Sequence, residues 1–173
     1  MTLLFRYWLD LCLLRAAPQD GPASTFYLGF ALTCYVMVSV LVMTGGYGML
    51  TGTRLALLEL VLLAAFVTLL LYLLDKAARI KQTLAAMAGA GSLLGLLAFP
   101  LVLLQGPVPA GDSVPVVLSV VWMALLFWNL VVSAHIMRHA LSTSFAIGLA
   151  VSVLYVLVST QFVATMFPQQ TDV

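Results

Sequence analysis

Five stretches of this chain are long and apolar enough to cross a lipid bilayer as helices, and they dominate every other signal. They fall at about residues 26–50, 53–74, 83–104, 114–137 and 141–167. A hydrocarbon core of about 30 Å takes roughly 20 apolar residues in helical form, and each run approaches or exceeds that length. The runs are continuous rather than alternating, which excludes the strand pattern of a membrane barrel. Composition agrees: 64% of residues are hydrophobic and 8% charged, against about 45–50% and about 25% in a soluble domain. With a net charge of +1, there is no basic or acidic field to attract nucleic acid.

The breaks between runs set the topology. Gly45, Gly46 and Gly48 close the first span, and Thr51-Gly52-Thr53 opens the second. Asp75, Lys76, Arg79 and Lys81 separate the second from the third. A turn-rich loop, 105–115, precedes the fourth, and Arg138-His139 marks the connection to the fifth. Orientation follows the distribution of Lys and Arg. With a cytoplasmic N-terminus, Arg6, Arg15, Lys76, Arg79, Lys81 and Arg138 lie inside and only Arg54 outside. The tail from Pro168 is then outside. The expectation is an all-α integral membrane protein, a five-helix bundle over 23–173 in the cell's inner membrane, preceded by a leader over 1–22.

The leader has its own pattern. Arg6 and Asp10 interrupt its apolar run, so it is too short to span and lacks the layout of a cleavable signal. Leu4, Trp8, Leu11 and Arg15 recur at helical spacing, which predicts an amphipathic helix lying at the cytoplasmic interface. Trp8, Arg15, Lys76, Arg79, Lys81 and Arg138 are the expected interfacial anchors. Ser24 or Thr25 is placed to cap the first span.

Polar residues within spans are costly and therefore informative. Glu59 is the only acidic one. Counted from Arg54 it sits about 8 Å deeper at about 1.5 Å per residue, near the outer interface, where Ser119, Ser159, Thr160 and Gln161 match its depth. Asn129 lies in the inner half of the fourth span, with Ser133 one turn later and Trp122 two turns earlier. Cys34, Tyr35, Ser92 and Ser152 match that inner depth, and an Asn–Ser–Tyr layer would join helices by hydrogen bonds. Ser152, Tyr155 and Ser159 form a polar stripe on the fifth span. The third span is rich in small residues, with Gly89, Gly91 and Gly95 allowing close approach of a neighbour, either inside the bundle or along a dimer seam.

The run HIMRH places His135 and His139 four residues apart, on one helical face. That spacing suits a metal, but only Asp10, Cys12 and Asp75 could complete the set, so the pair is a weak candidate and the expected metal and cofactor content is none. Cys12 and Cys34 read as unpaired thiols. No phosphate-binding loop, serine-hydrolase elbow, zinc-protease or haem-attachment motif is present, and no enzyme activity is expected.

The leader LDLCLLRAAPQDGPAS and the end of the fourth span, WNLVVSAHIMRHAL, together with five spans, resemble small bacterial members of the Yip family (Ypt/Rab-interacting proteins and relatives). The longer cytoplasmic region and acidic-aromatic motif of eukaryotic members are missing, so the resemblance implies no Rab-type partner. It implies a non-enzymatic protein that binds or organises membrane protein partners, or that self-associates, within the lipid bilayer. Two alternatives follow from the residues: a small transporter or channel using Glu59 and the Asn129 layer, and an accessory subunit of a respiratory or other membrane complex.

Overall fold

The computed structural model describes residues 2–105 and 115–167. The tail expected outside and most of the turn-rich loop lie beyond the described residues. Every regular element is helical: α1 (Thr2–Cys12), α2 (Thr25–Tyr47), α3 (Met49–Leu73), α4 (Ile80–Gln105), α5 (Val116–Leu141) and α6 (Phe145–Met166), with short 3₁₀ turns at Pro18–Asp20 and Ala77–Arg79. The last five helices are each long and apolar enough to span a membrane.

The helix ends follow local chemistry. Ser24 caps α2, its hydroxyl accepting from the Tyr27 amide at 3.0 Å. Helices α1, α3 and α5 all stop on a left-handed residue, Leu14 (φ 61°), Asp75 (φ 56°) and Ser142 (φ 53°). In each, the next amide reaches back to a carbonyl five residues earlier: Arg15 to Asp10 at 2.8 Å, Lys76 to Leu71 at 2.7 Å and Thr143 to Arg138 at 2.9 Å. This is the Schellman closure, usually made with glycine; a side chain there costs roughly 1–2 kcal/mol. Helix α5 has no breaker before Ser142, so it runs through HIMRH. The expected connection at Arg138-His139 is corrected to the turn 142–144, where Ser144 caps α6.

Helix α4 is the axis of the bundle. Ala85, Ala86, Ala88 and Ala90 are buried. A Cβ on Gly91 would meet the Tyr35 ring and one on Gly95 would meet Val38, both on α2. The small residues of the third span therefore face this chain's own neighbours. The α2–α3 hairpin is tight: Gly48 turns it with φ 77°, and a Cβ on Gly52 would lie 2.5 Å from the Thr44 backbone nitrogen. Helix α5 is asymmetric. Its last turns, including Ala134, Ile136, Met137 and Leu141, are buried, while Val116, Val120, Met123 and Phe127 near its start are exposed. Arg79 donates to the His139 and Ala140 carbonyls at 3.2 and 2.9 Å and to Ser142, joining the start of α4 to the end of α5.

The leader docks on the bundle. Trp8, Leu11 and Cys12 are buried. The Trp8 indole lies over Gly89, where any Cβ would come within 2.1 Å of its nitrogen. That nitrogen donates to the Tyr27 hydroxyl at 2.6 Å, and the ring stacks on Phe30. At the other end, the Cys12 carbonyl accepts from Trp128 on α5 at 3.2 Å. Helix α1 thus touches α2 with its middle and α5 with its end, crossing α4 between them. Phe5, Leu9 and Leu13 point away from the bundle and are exposed. Because the helix ends at Cys12, Arg15 does not continue its face, as the spacing had suggested; it is exposed in the following turn. Tyr7 clasps that turn through the Ala17 and Pro18 carbonyls, and burial holds its phenol well above the ordinary value.

Candidate functional site

Tyr35, Glu59, Asn129 and Tyr155 each lie within two residues of the midpoint of their helices. They line one cavity of about 180 Å³, enclosed by α2, α3, α4, α5 and α6. Helix α4 contributes Gly91 and Gly95 to its wall. Toward the leader it is closed by buried Leu63, Met87, Val132 and Ile136. Toward the α2–α3 hairpin its wall is formed by half-exposed Ser39, Val42, Met43 and Trp122, and along α5 by exposed Leu126 and Asn129.

The polar groups converge on Glu59. The buried Tyr35 and, one turn further along α2, Ser39 line the same cavity as the Glu59 carboxyl. Tyr155 approaches Glu59 from α6, its ring held against Phe66 at 5.2 Å between centroids. Among the described residues the buried Tyr155 hydroxyl has no hydrogen-bond partner. An unpaired buried hydroxyl costs about 1–3 kcal/mol, so it is poised to bond with whatever occupies the cavity. Trp122 is fixed at the rim by donating to Gln105 at 3.2 Å.

The structure therefore merges two groups that the sequence reading kept apart. Glu59 is ten residues into α3, not near its outer end, and it shares a cavity with Asn129, Ser133 and Trp122. The residues matched to it by depth lie elsewhere: Ser119, Ser159 and Thr160 bond carbonyls of their own helices, and Gln161 is exposed. Ser92 also bonds its own helix, at Ala88, and Ser152 is buried with no partner among the described residues. Ser39 and Phe66 were not singled out from the sequence; the one-turn spacing of Ser39 from Tyr35 was the available signal for the first.

The histidines of HIMRH serve a different purpose. His135 is buried, and its Nε2 donates to the Ala16 carbonyl at 2.9 Å, tying the leader to α5. His139 stands edge-on to it, 4.7 Å between ring centroids, and accepts from Arg138 at 3.2 Å. Among the described residues, no three His, Cys, Asp or Glu side chains gather closely enough to hold a metal. Of the expected anchors, Trp8 and Arg79 bond within the protein, Lys81 donates to Thr25 at 3.1 Å, and Lys76 and Arg138 are half-buried.

No family model, curated protein or solved structure matches the chain. Function must be read from its own geometry.

Proposed function

We propose that this multi-pass membrane protein is a small transporter or channel of the inner membrane, with its N-terminus cytoplasmic and its working part the mid-helix cavity around Glu59. The supporting observation is the carboxyl itself. An acidic group at a helix centre costs about 2.5–3.5 kcal/mol on insertion scales. A chain that only needed packing would place an apolar residue there. Here the carboxyl shares its cavity with polar side chains from three other helices, Tyr35 of α2, Asn129 of α5 and Tyr155 of α6, the gathering of polar groups that a pathway through a membrane needs. Of the features behind the partner-organising role, the small-residue third span packs against α1 and α2 of the same chain, and the amphipathic leader docks on the bundle. The Lys and Arg distribution supports the orientation, and the exposed apolar stripe of α1 suits a helix held at the cytoplasmic interface.

The test is flux. Purified protein in proteoliposomes, with a pH indicator trapped inside and an imposed potassium diffusion potential, should carry a proton or cation current. Glu59→Gln should abolish it and Asn129→Ala should reduce it, while Arg54→Gln should leave it intact. Flux unchanged by Glu59→Gln and Asn129→Ala would sink this reading.

A further inference from the structure

The cavity has a composition of its own that goes beyond the presence of a carboxyl. Among the described residues its one ionisable acid is Glu59, and no basic side chain lines it. Three aromatic side chains, Tyr35, Trp122 and Tyr155, come from three different helices. The remaining wall is apolar, supplied by residues such as Val38, Leu63 and Leu94. A hydrated metal ion is poorly served here, since a hard cation needs about six or more oxygen ligands. An inorganic anion has no positive group to meet. A cation whose charge is wrapped in alkyl groups suits all three features: the carboxylate balances its charge, aromatic faces attract it through their quadrupoles, and the apolar wall takes its methyl or ethyl groups. Size agrees. An apolar cavity of about 150 Å³ holds one benzene, so about 180 Å³ accommodates a ligand of a similar number of heavy atoms.

We infer that the cavity is a binding site for a small organic cation of the quaternary or alkylammonium class, with Glu59 as counter-ion and Trp122, Tyr35 and Tyr155 as its aromatic enclosure. The inference deepens the transport reading and rests on it for its biological sense. Trp122 stands toward the α2–α3 hairpin end of the cavity, where its bond to Gln105 fixes the indole. Tyr35 and Tyr155 also bring hydroxyls to the cavity, and the unpartnered Tyr155 hydroxyl accepts from a ligand N–H where one is present. Protons compete with the cation, because a protonated Glu59 is no counter-ion. The titratable groups facing Glu59 are Tyr35 of α2 and Tyr155 of α6. Helices α4 and α5 present Gly91, Gly95, Trp122 and Asn129 to the cavity, none of which titrates.

The experiment is calorimetric titration of the full chain in detergent with tetramethylammonium and tetraethylammonium chloride. Sodium chloride and the neutral 2,2-dimethylpropanol are the comparison probes. One organic cation should bind per chain, more weakly as pH falls, and the two comparison probes should not. Glu59→Gln should weaken binding by about tenfold or more and Trp122→Ala by about threefold, while Trp122→Phe should restore most of the affinity. Size-exclusion profiles matching the parent show that the variants are folded. No binding of either cation to the folded parent, equal binding of the neutral alcohol, or binding undiminished by Glu59→Gln would each overturn the inference. Proton flux that depends on Glu59, with no organic cation bound, removes this inference and leaves the transport reading. Cation binding with no flux of any kind does the reverse.

Discussion

The docked leader makes a prediction that one cysteine can read. Cys12 is buried with its thiol against the Ala90 carbonyl, and burial pushes it up from 9.0 to about 11. Only the thiolate attacks a maleimide. At pH 8 a thiol of ordinary value is about one-tenth ionised, and Cys12 about one-thousandth, so ionisation alone slows labelling about hundredfold. The rate should climb about tenfold per pH unit up to about 11, without levelling near 9. The same shift carries a sign for stability. The docked leader holds the Cys12 proton more tightly than the free leader, so its contribution is complete below pH 9 and lost as pH rises through about 11. Gly89→Ala tests the packing. Its Cβ would lie 2.1 Å from the Trp8 indole nitrogen, forcing Trp8 out of its groove. Overpacking costs about 1–3 kcal/mol and the lost bond to Tyr27 about 0.5–1.5 kcal/mol. Undocking should therefore become at least about tenfold easier, and Cys12 labelling faster to match. The assay is maleimide labelling in a Cys34→Ala background. Gly46→Ala, which meets nothing within 4 Å, is the control and should change nothing. Parent Cys12 labelling at the rate of a free thiol, or Gly89→Ala leaving the rate unmoved, would refute the docked arrangement.

Three further outcomes follow from the contacts. Arg79→Ala removes the donor to three acceptors at the end of α5, and thermal unfolding should show a loss of about 1.5–3 kcal/mol, the scale of charged hydrogen bonds. His135→Ala leaves the Ala16 carbonyl unpaired; hydrogen exchange should quicken across residues 13–21 and stay unchanged in the α2–α3 hairpin. Gly52→Val places a side chain against the Thr44 backbone, which cannot swing aside, so monodisperse protein should be lost, whereas Gly29→Ala, with nothing within 4 Å, should be silent.

The spanning helices were legible because length and hydropathy alone decide them, and Ser24 was legible as a cap because the cap is a local interaction. The position of Glu59 was not. Depth was counted from Arg54, but the helix begins at Met49, and those extra residues move the carboxyl from the interface to the middle. The joining of Glu59 to Asn129 depends on how five helices rotate about α4, which no single span encodes. HIMRH reads as a weak metal pair beside a helix connection because histidine chemistry is judged by spacing. What fixes its role is Ala16, 119 residues away, brought there by a turn whose path no periodicity reveals. Gly89 was picked out as small, but small residues say only that something approaches closely, not that it is Trp8.

The crosswise seat of the leader also bears on the order in which the molecule is assembled. Its contacts join Cys12 to Ala90, Trp128 to Cys12 and His135 to Ala16, separations of 78, 116 and 119 residues. At about 5–20 residues per second, the ribosome makes the last of these partners roughly 6–24 s after the first. Trp8 lacks the α4 wall of its groove until Gly89 is made, roughly 4–16 s after it at that rate, and the contacts with α5 come later still. The seat of the leader is thus complete only once α5 is made, and α1 is among the last helices to gain all of its contacts.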